Sequence, residues 1–403
     1  MLKKLIKKSL VIGSTLILFP FIVLLRMFHI RFLGIKHIYS IGHLSLEPDF
    51  YLKEMQSARK KKHRMILLLP TSRIVGFFPR HVACNRCLVN LWKEKFIVFE
   101  SPWIYLLLQP FSVSPLLRYR VDQYAMEYWK TSKMYSIQNE YTGEPNLKLD
   151  PSHIEKGMQV LSEMGIPKDS WFVCFHAREP EYYSEENLKH FSYRNSEVDK
   201  QFSAIKAIVD RGGWVIRVGS SKSQPLGQRW KALSHCWDYT QSDAVSDWMD
   251  VFLISSCRFF LTTSTGLSCL AIAFDVPTVF ANVIPFCNLS PMKNSIVIPK
   301  LYVSKKTKRH LLFSQIVKKT MANYIHNHEF DRDHIELVDN TEEEIKDLTL
   351  EMLGRMEGKK YSQEEEELQQ KFHSLLGPDN FCYGASGRIG SAFLKKYKHL
   401  LEV

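Results

Sequence analysis

Two short segments of the 403-residue chain carry the residue types best suited to chemistry. The stretch Phe172-Val173-Cys174-Phe175-His176-Ala177-Arg178 is an apolar run that ends in an imidazole and a guanidinium. The stretch Phe259-Phe260-Leu261-Thr262-Thr263-Ser264-Thr265-Gly266 ends in a hydroxyl cluster and a glycine, and the helix-like 267–274 follows at once. A guanidinium fork grips a phosphate through two parallel N–H···O bonds. Free amides and hydroxyls at a helix N-terminus form a ready anion site. Together the two segments suit a ligand that carries a diphosphate.

Each candidate also has a plainer role. Arg178 fits a structural ion pair with Asp247 or Asp250, and His176 fits a hydrogen-bonded core histidine. Thr263, Ser264, Thr265 and Gly266 fit an ordinary helix cap, and Asp247 and Asp250 fit the acids that favour a helix start. Gly219 and Ser220 read as a strand-to-helix turn open to a ligand. The excursion 179–200 is too long for an ordinary connection; its Tyr193-Arg194-Asn195 could close over a bound sugar or simply be solvated.

The elements that must position these groups follow from the apolar pattern. Short unbroken apolar runs ending in polar residues predict parallel strands buried on both faces. Ligands collect at the carboxyl ends of such strands. Strands are expected at 37–41, 65–70, 96–99, 171–175, 214–218, 258–262 and 277–282, with helices at 85–93, 202–210, 267–274, 345–353 and 364–376. Gly143, Pro145, Pro151, Gly165 and Pro167 mark a linker. The expected organisation is an anchor at 1–36, an α/β domain at 37–165, a second α/β domain at 166–335 and a helical segment at 336–403. In the first domain Glu47-Pro48-Asp49 reads as a helix start, and His43, Glu47 and Asp49 follow the first expected strand. They are the candidates for a general base: His43 because a free imidazole titrates near pH 6.5, Glu47 or Asp49 only if burial raises them.

The net charge of +12 is unevenly spread. Residues 1–64 hold thirteen Lys/Arg and three acids, so the other 339 residues sum to +2. A basic patch confined to one terminus, beside an apolar run, fits a membrane surface rather than a nucleic-acid groove. That run, residues 9–25, is seventeen residues without a charge, preceded by Lys3, Lys4, Lys7 and Lys8. At 1.5 Å per residue it spans about 26 Å, close to a bilayer core. No small-x-small cleavage pattern follows, so an uncleaved anchor is expected; Pro20 allows a bent, re-entrant helix as well as a single span. The eight cysteines sit mostly in apolar patterns and read as buried free thiols. His81-x-x-Cys84-x-x-Cys87 lacks the second half of a zinc site.

The set Ile41-Gly42-His43-Leu44, Phe175-His176-x-Arg178, Tyr193-Arg194-Asn195, Ser246-Asp247-Trp248-Met249-Asp250, Ser264-x-Gly266-Leu267 and Gly387-Arg388-Ile389-Gly390 resembles a family of bacterial surface-polysaccharide glycosyltransferases, over about residues 38–400. That family is itself similar to the two-domain GT-B enzymes, including fucosyltransferases with a His-x-Arg strand end; here a single Arg178 is followed by Glu179. The resemblance implies two Rossmann-like domains facing a cleft, with the nucleotide-sugar donor held mainly by the second. It implies transfer of a sugar to a cell-surface polysaccharide or lipid-linked acceptor at the cytoplasmic face of the inner membrane. Donor contacts are expected from His176, Arg178, Gly219, Ser220, Asp247, Asp250, Thr263, Ser264, Thr265 and Gly266, and catalysis from His43, Glu47 and Arg178. With no Asp-x-Asp element at a strand end, neither a metal nor a resident cofactor is expected. The alternatives are another nucleotide-dependent transferase, of pyruvyl or phosphosugar groups, or an inactive membrane-tethered scaffold.

Overall fold

The computed structural model describes residues 18–35, 37–57, 63–74, 79–124, 133–180, 189–318 and 321–402. Residues 1–17, the larger part of the expected anchor, and residues 181–188 of the long loop lie outside the described residues.

The chain builds two parallel sheets. The first holds β1 (Ile30–Leu33), β2 (Arg64–Leu68), β3 (Ile97–Phe99) and β4 (Arg118–Tyr119) in the order β3-β2-β1-β4. The second holds β5 (Phe172–Phe175), β6 (Trp214–Arg217), β7 (Cys236–Asp238), β8 (Phe260–Thr262), β9 (Thr278–Val283), β10 (Ile296–Pro299) and β13 (Arg388–Ile389), in the order β13-β10-β9-β8-β5-β6-β7. Every pairing in both sheets is parallel. A separate antiparallel pair joins β11 (Leu301–Ser304) to β12 (Ile335–Val338). The central strands of the second sheet are buried throughout their length, as a sheet covered on both faces requires.

This order sets the geometry of the site. From β5 the chain winds outward through β6 to β7, then returns to lay β8 against the other side of β5. The switch in winding direction therefore falls between β5 and β8, where open α/β sheets bind their ligands. The first sheet has its own switch between β1 and β4.

Three expectations are corrected. Residues 37–40 are a turn rather than a strand; the first strand lies upstream at Ile30–Leu33, inside the range expected to be anchor. The segment after it is one helix, Ile41–Ser57, with Pro48 in its interior. A proline there has no N–H for the carbonyl of Leu44, and the indole Nε1 of Trp92 donates to that oxygen instead at 2.8 Å. The C-terminal segment is not purely helical, because Arg388–Ile389 adds the edge strand β13 beside β10. Among the described residues no helix is long and apolar enough to cross a membrane. The Phe19–Met27 helix has nine residues.

The two units meet along a helical seam. The Ile41–Ser57 helix packs on Gly266–Ala273, and Arg86–Lys93 packs on Asp247–Ser256. The linker helix Pro151–Glu163, capped by Asp150, lies against Asp247–Ser256 so closely that a Cβ on Gly157 would come within 2.4 Å of the Phe252 ring.

Candidate active site

The carboxyl ends of β5 and β8 lie side by side, and the two segments singled out in the sequence meet there. The backbone N–H of Arg178 donates to Oγ1 of Thr263 at 3.2 Å, tying the end of one strand to the end of the other. Arg178 is buried, and its charge acts on both His176 and Tyr193.

The hydroxyl cluster does not cap its helix. Thr265 is the N-cap residue of Gly266–Ala273, yet its side chain makes no capping bond. Oγ of Ser264 and Oγ1 of Thr265 are buried, and neither has a hydrogen-bond partner. A buried hydroxyl without a partner costs about 1–3 kcal/mol. Both sit at the N-terminal, positive-dipole end of the Gly266–Ala273 helix.

Arg194 joins this group. The sequence placed it on a loop that could close; the structure brings its Nη2 to the carbonyl of Ser264 at 2.6 Å. Its Nε is buried and has no partner, like Oδ1 of the adjacent Asn195. Lys300, absent from the sequence expectations, holds this loop: its ammonium donates to the Asn195 carbonyl at 2.8 Å and pairs with Asp339 at 2.7 Å. Nothing in the local sequence of Lys300 signals the contact, which spans 105 positions.

His176 and Gly219 form the floor on the β6 side. Nδ1–H of His176 donates to the Val218 carbonyl at 3.0 Å, which fixes the neutral tautomer and leaves Nε2 as an acceptor. Burial is the main cause that lowers its pKa, to about 4, with Arg217 and Arg178 adding to the shift. Gly219 has φ +151°, and a Cβ there would come 3.1 Å from Nδ1 of His176. Ser220 turns inward on its own loop, its Oγ accepting from Lys222 N at 3.2 Å. Beneath them Arg217, 2% exposed, pairs with both oxygens of Glu179 at 2.7 and 2.6 Å and with Asp238 at 3.1 Å. Glu179, the residue that follows Arg178, is therefore committed to the floor.

Asp247 and Asp250 are occupied elsewhere. Oδ2 of Asp247 accepts the backbone N–H of Arg86 at 2.7 Å, and its carbonyl accepts from Asn85 Nδ2 at 2.9 Å, so it ties the Arg86–Lys93 helix start to the second unit. Asp250 accepts from the Tyr239 hydroxyl at 2.7 Å, and burial lifts its pKa to about 6. Neither carboxylate forms the ion pair with Arg178 that the sequence left open.

The first unit contributes a dyad. His43 and Glu47 lie one turn apart on Ile41–Ser57, with Nδ1 of His43 2.6 Å from Oε1 of Glu47. The carboxylate is buried and the imidazole partly exposed, at 4% and 24% of the side chain. With Nδ1–H donated to Glu47, Nε2 is left as the proton acceptor. Asp49 is excluded from this role: it is fully buried, pairs with Lys53 at 2.8 Å and accepts from Asn146 at 2.8 Å. Among the described residues no group of three or more His, Cys, Asp or Glu side chains is placed to hold a metal ion. All eight cysteines are free, Cys84 and Cys87 included.

No protein-family model matches the chain, and no curated protein sequence matches it. Solved structures with a similar trace include ADP-heptose LPS heptosyltransferase II from E. coli, at 16% identity and TM-score 0.38 over 68% of this chain and 90% of that one. A glycosyl transferase family 9 structure from Veillonella parvula gives 12% identity and TM-score 0.33 over 78% and 80%. An E. coli heptosyltransferase with ADP-2-deoxy-2-fluoro heptose gives 13% and 0.29 over 67% and 92%.

Proposed function

We propose that this protein is a glycosyltransferase of the GT-B type, moving a sugar from a nucleotide-sugar donor to a surface-polysaccharide or lipid-linked glycan acceptor. The observation that carries the reading is the pair of buried, unpartnered hydroxyls of Ser264 and Thr265 at a helix start, flanked by Arg194 and the Arg178 strand end. A diphosphate supplies acceptors for the Ser264 and Thr265 hydroxyls and for Nε of Arg194, beside a helix N-terminus that favours an anion.

In the reaction, an acceptor hydroxyl oxygen bonds to the anomeric carbon as the bond from that carbon to the diphosphate breaks. The hydroxyl proton passes to Nε2 of His43, which Glu47 holds in the receptive tautomer. Negative charge grows on the departing nucleoside diphosphate. Arg178, Arg194 and the Gly266–Ala273 helix start stabilise it without reorganising solvent. These fixed cations supply the charge neutralisation that a divalent ion would otherwise give, so the transfer is proposed to be metal-independent. The segment ahead of β1 is proposed to hold the enzyme at the cytoplasmic face of the inner membrane.

The test is a thermal-shift screen with ADP, GDP, UDP and their sugar conjugates. A ligand at a hundred times its Kd stabilises the folded chain by about 2.7 kcal/mol. A shift with one nucleoside diphosphate and its sugar conjugate supports the reading; no shift with any of them refutes it.

A further inference from the structure

The Pro102–Val113 helix, PWIYLLLQPFSV, has no charged residue, yet none of its residues is buried. A helix that is apolar all round ordinarily belongs in a core. Here Trp103, Leu106 and Leu107 are 65%, 47% and 69% exposed. The Phe19–Met27 helix and the turn after it do the same beside it, with Phe19, Phe21, Val23, Leu24, Met27 and Phe28 turned outward.

Both helices sit on one small core, Ile22, Phe32, Ile66 and Leu117, separate from the main one. Phe32 and Ile66 are cross-strand partners in β1 and β2, so the two helices cover the same face of the first sheet. The described segments that hold these helices and the strands beneath them, 18–35, 63–74 and 97–120, carry Arg26, Arg31, Arg64, Arg73, Arg118 and Arg120 against a single acid, Glu100. Glu100 is itself paired with Lys93. Arg26, Arg64, Arg118 and Arg120 are exposed.

We infer that this helix-covered face of the first domain docks on an anionic phospholipid bilayer surface, with the Pro102–Val113 helix as a second contact besides the N-terminal segment. An exposed apolar face with a rim of arginines and an indole near one end fits the headgroup boundary. Basic residues near an anionic leaflet strengthen such binding. A second copy of the chain fits less well, because a self-paired face would set its arginines against one another. The inference does not depend on the transfer reaction.

The test uses the full chain with phosphatidylglycerol vesicles whose acyl chains are brominated, which quench an indole that enters the bilayer. Tryptophan emission should fall on binding, and Trp103→Phe should remove a clear part of that quenching. Leu106→Glu with Leu107→Glu should weaken vesicle binding at least tenfold while leaving the melting temperature unchanged, and vesicles of phosphatidylcholine alone should bind more weakly. Quenching identical in wild type and Trp103→Phe would overturn the inference. So would wild-type vesicle affinity in the double variant, or a micromolar dimer of the full chain that the double variant abolishes.

Discussion

Gly42 and Gly266 abut across the seam between the two units. A Cβ on Gly42 would lie 3.2 Å from the Cα of Gly266, and one on Gly266 would lie 3.2 Å from the Gly42 nitrogen and 2.9 Å from Cγ2 of Ile41. The absence of two side chains lets the start of the Ile41–Ser57 helix touch the start of the Gly266–Ala273 helix.

Substitution at this contact should separate space from helix propensity. Gly42→Ala gains about 1 kcal/mol of helix propensity but meets an overpacking cost of about 1–3 kcal/mol. Gly42→Val meets the larger cost with little compensating gain. Thermal unfolding should show a small change for Ala and a fall of several degrees for Val, with turnover falling more steeply than stability in both. Equal melting temperatures for wild type and Gly42→Val would show that the seam opens freely.

The dyad should divide into one residue that takes the proton and one that orients it. His43→Ala should lower kcat by about 10²–10⁴-fold with donor affinity nearly unchanged. Glu47→Gln keeps a hydrogen-bond acceptor but loses the charge, and should cost about tenfold or more. Steady-state kinetics alongside direct binding gives both values. Wild-type turnover in His43→Ala would move the base elsewhere.

His176 should make stability pH-dependent in a definite direction. Its folded pKa, about 4, lies below the ordinary 6.5, so the unfolded chain binds the proton more readily. Its contribution is complete above about pH 6.5 and is lost as pH falls toward 4, reaching roughly 3 kcal/mol by linkage. Asp250, raised to about 6 by burial, acts in the opposite sense, favouring the folded chain as pH falls through that value. Comparing denaturation of wild type with His176→Gln between pH 7 and pH 5 isolates the histidine. The variant should lose less stability over that interval, and parallel curves would refute the assignment.

Much of this arrangement was legible in the sequence because it rests on local signals. β5 and β8 are apolar runs that stop at polar residues, and both form within a residue or two of their expected positions. β1 was missed because Ile30–Leu33 merges with the apolar run before it, while Gly42 and Pro48 read as breaks in a segment that is helical throughout. Pro48 is tolerated only through Trp92, 44 positions away in sequence and invisible to any local pattern. β13 is two residues long and has no periodicity to read. The role of Arg194 depends on a contact 70 residues distant. The protein partners of Asp247 and Asp250 were not legible: a carboxylate at a helix start looks the same in sequence whether it meets a ligand or a neighbouring helix.

Arg217 should prove structural. It is buried against Glu179 and Asp238, and removing it leaves two carboxylates without their cation. Arg217→Met should destabilise the fold by about 3–5 kcal/mol, the usual cost of breaking a buried pair from one side. Urea denaturation measures it. A loss below about 1 kcal/mol would show that the carboxylates reach solvent.

The most direct test of the donor site is calorimetric titration of the full chain with ADP, GDP and UDP, followed by the best of them against variants. Ser264→Ala with Thr265→Val, Arg178→Ala and Arg194→Ala each remove hydrogen bonds to a charged group worth about 1.5–3 kcal/mol. Wild type should bind one nucleoside diphosphate clearly, and each folded variant should bind it at least tenfold more weakly. Equal affinity in all three folded variants, or no binding of any of the three nucleotides by wild type, would contradict a diphosphate site at the ends of β5 and β8.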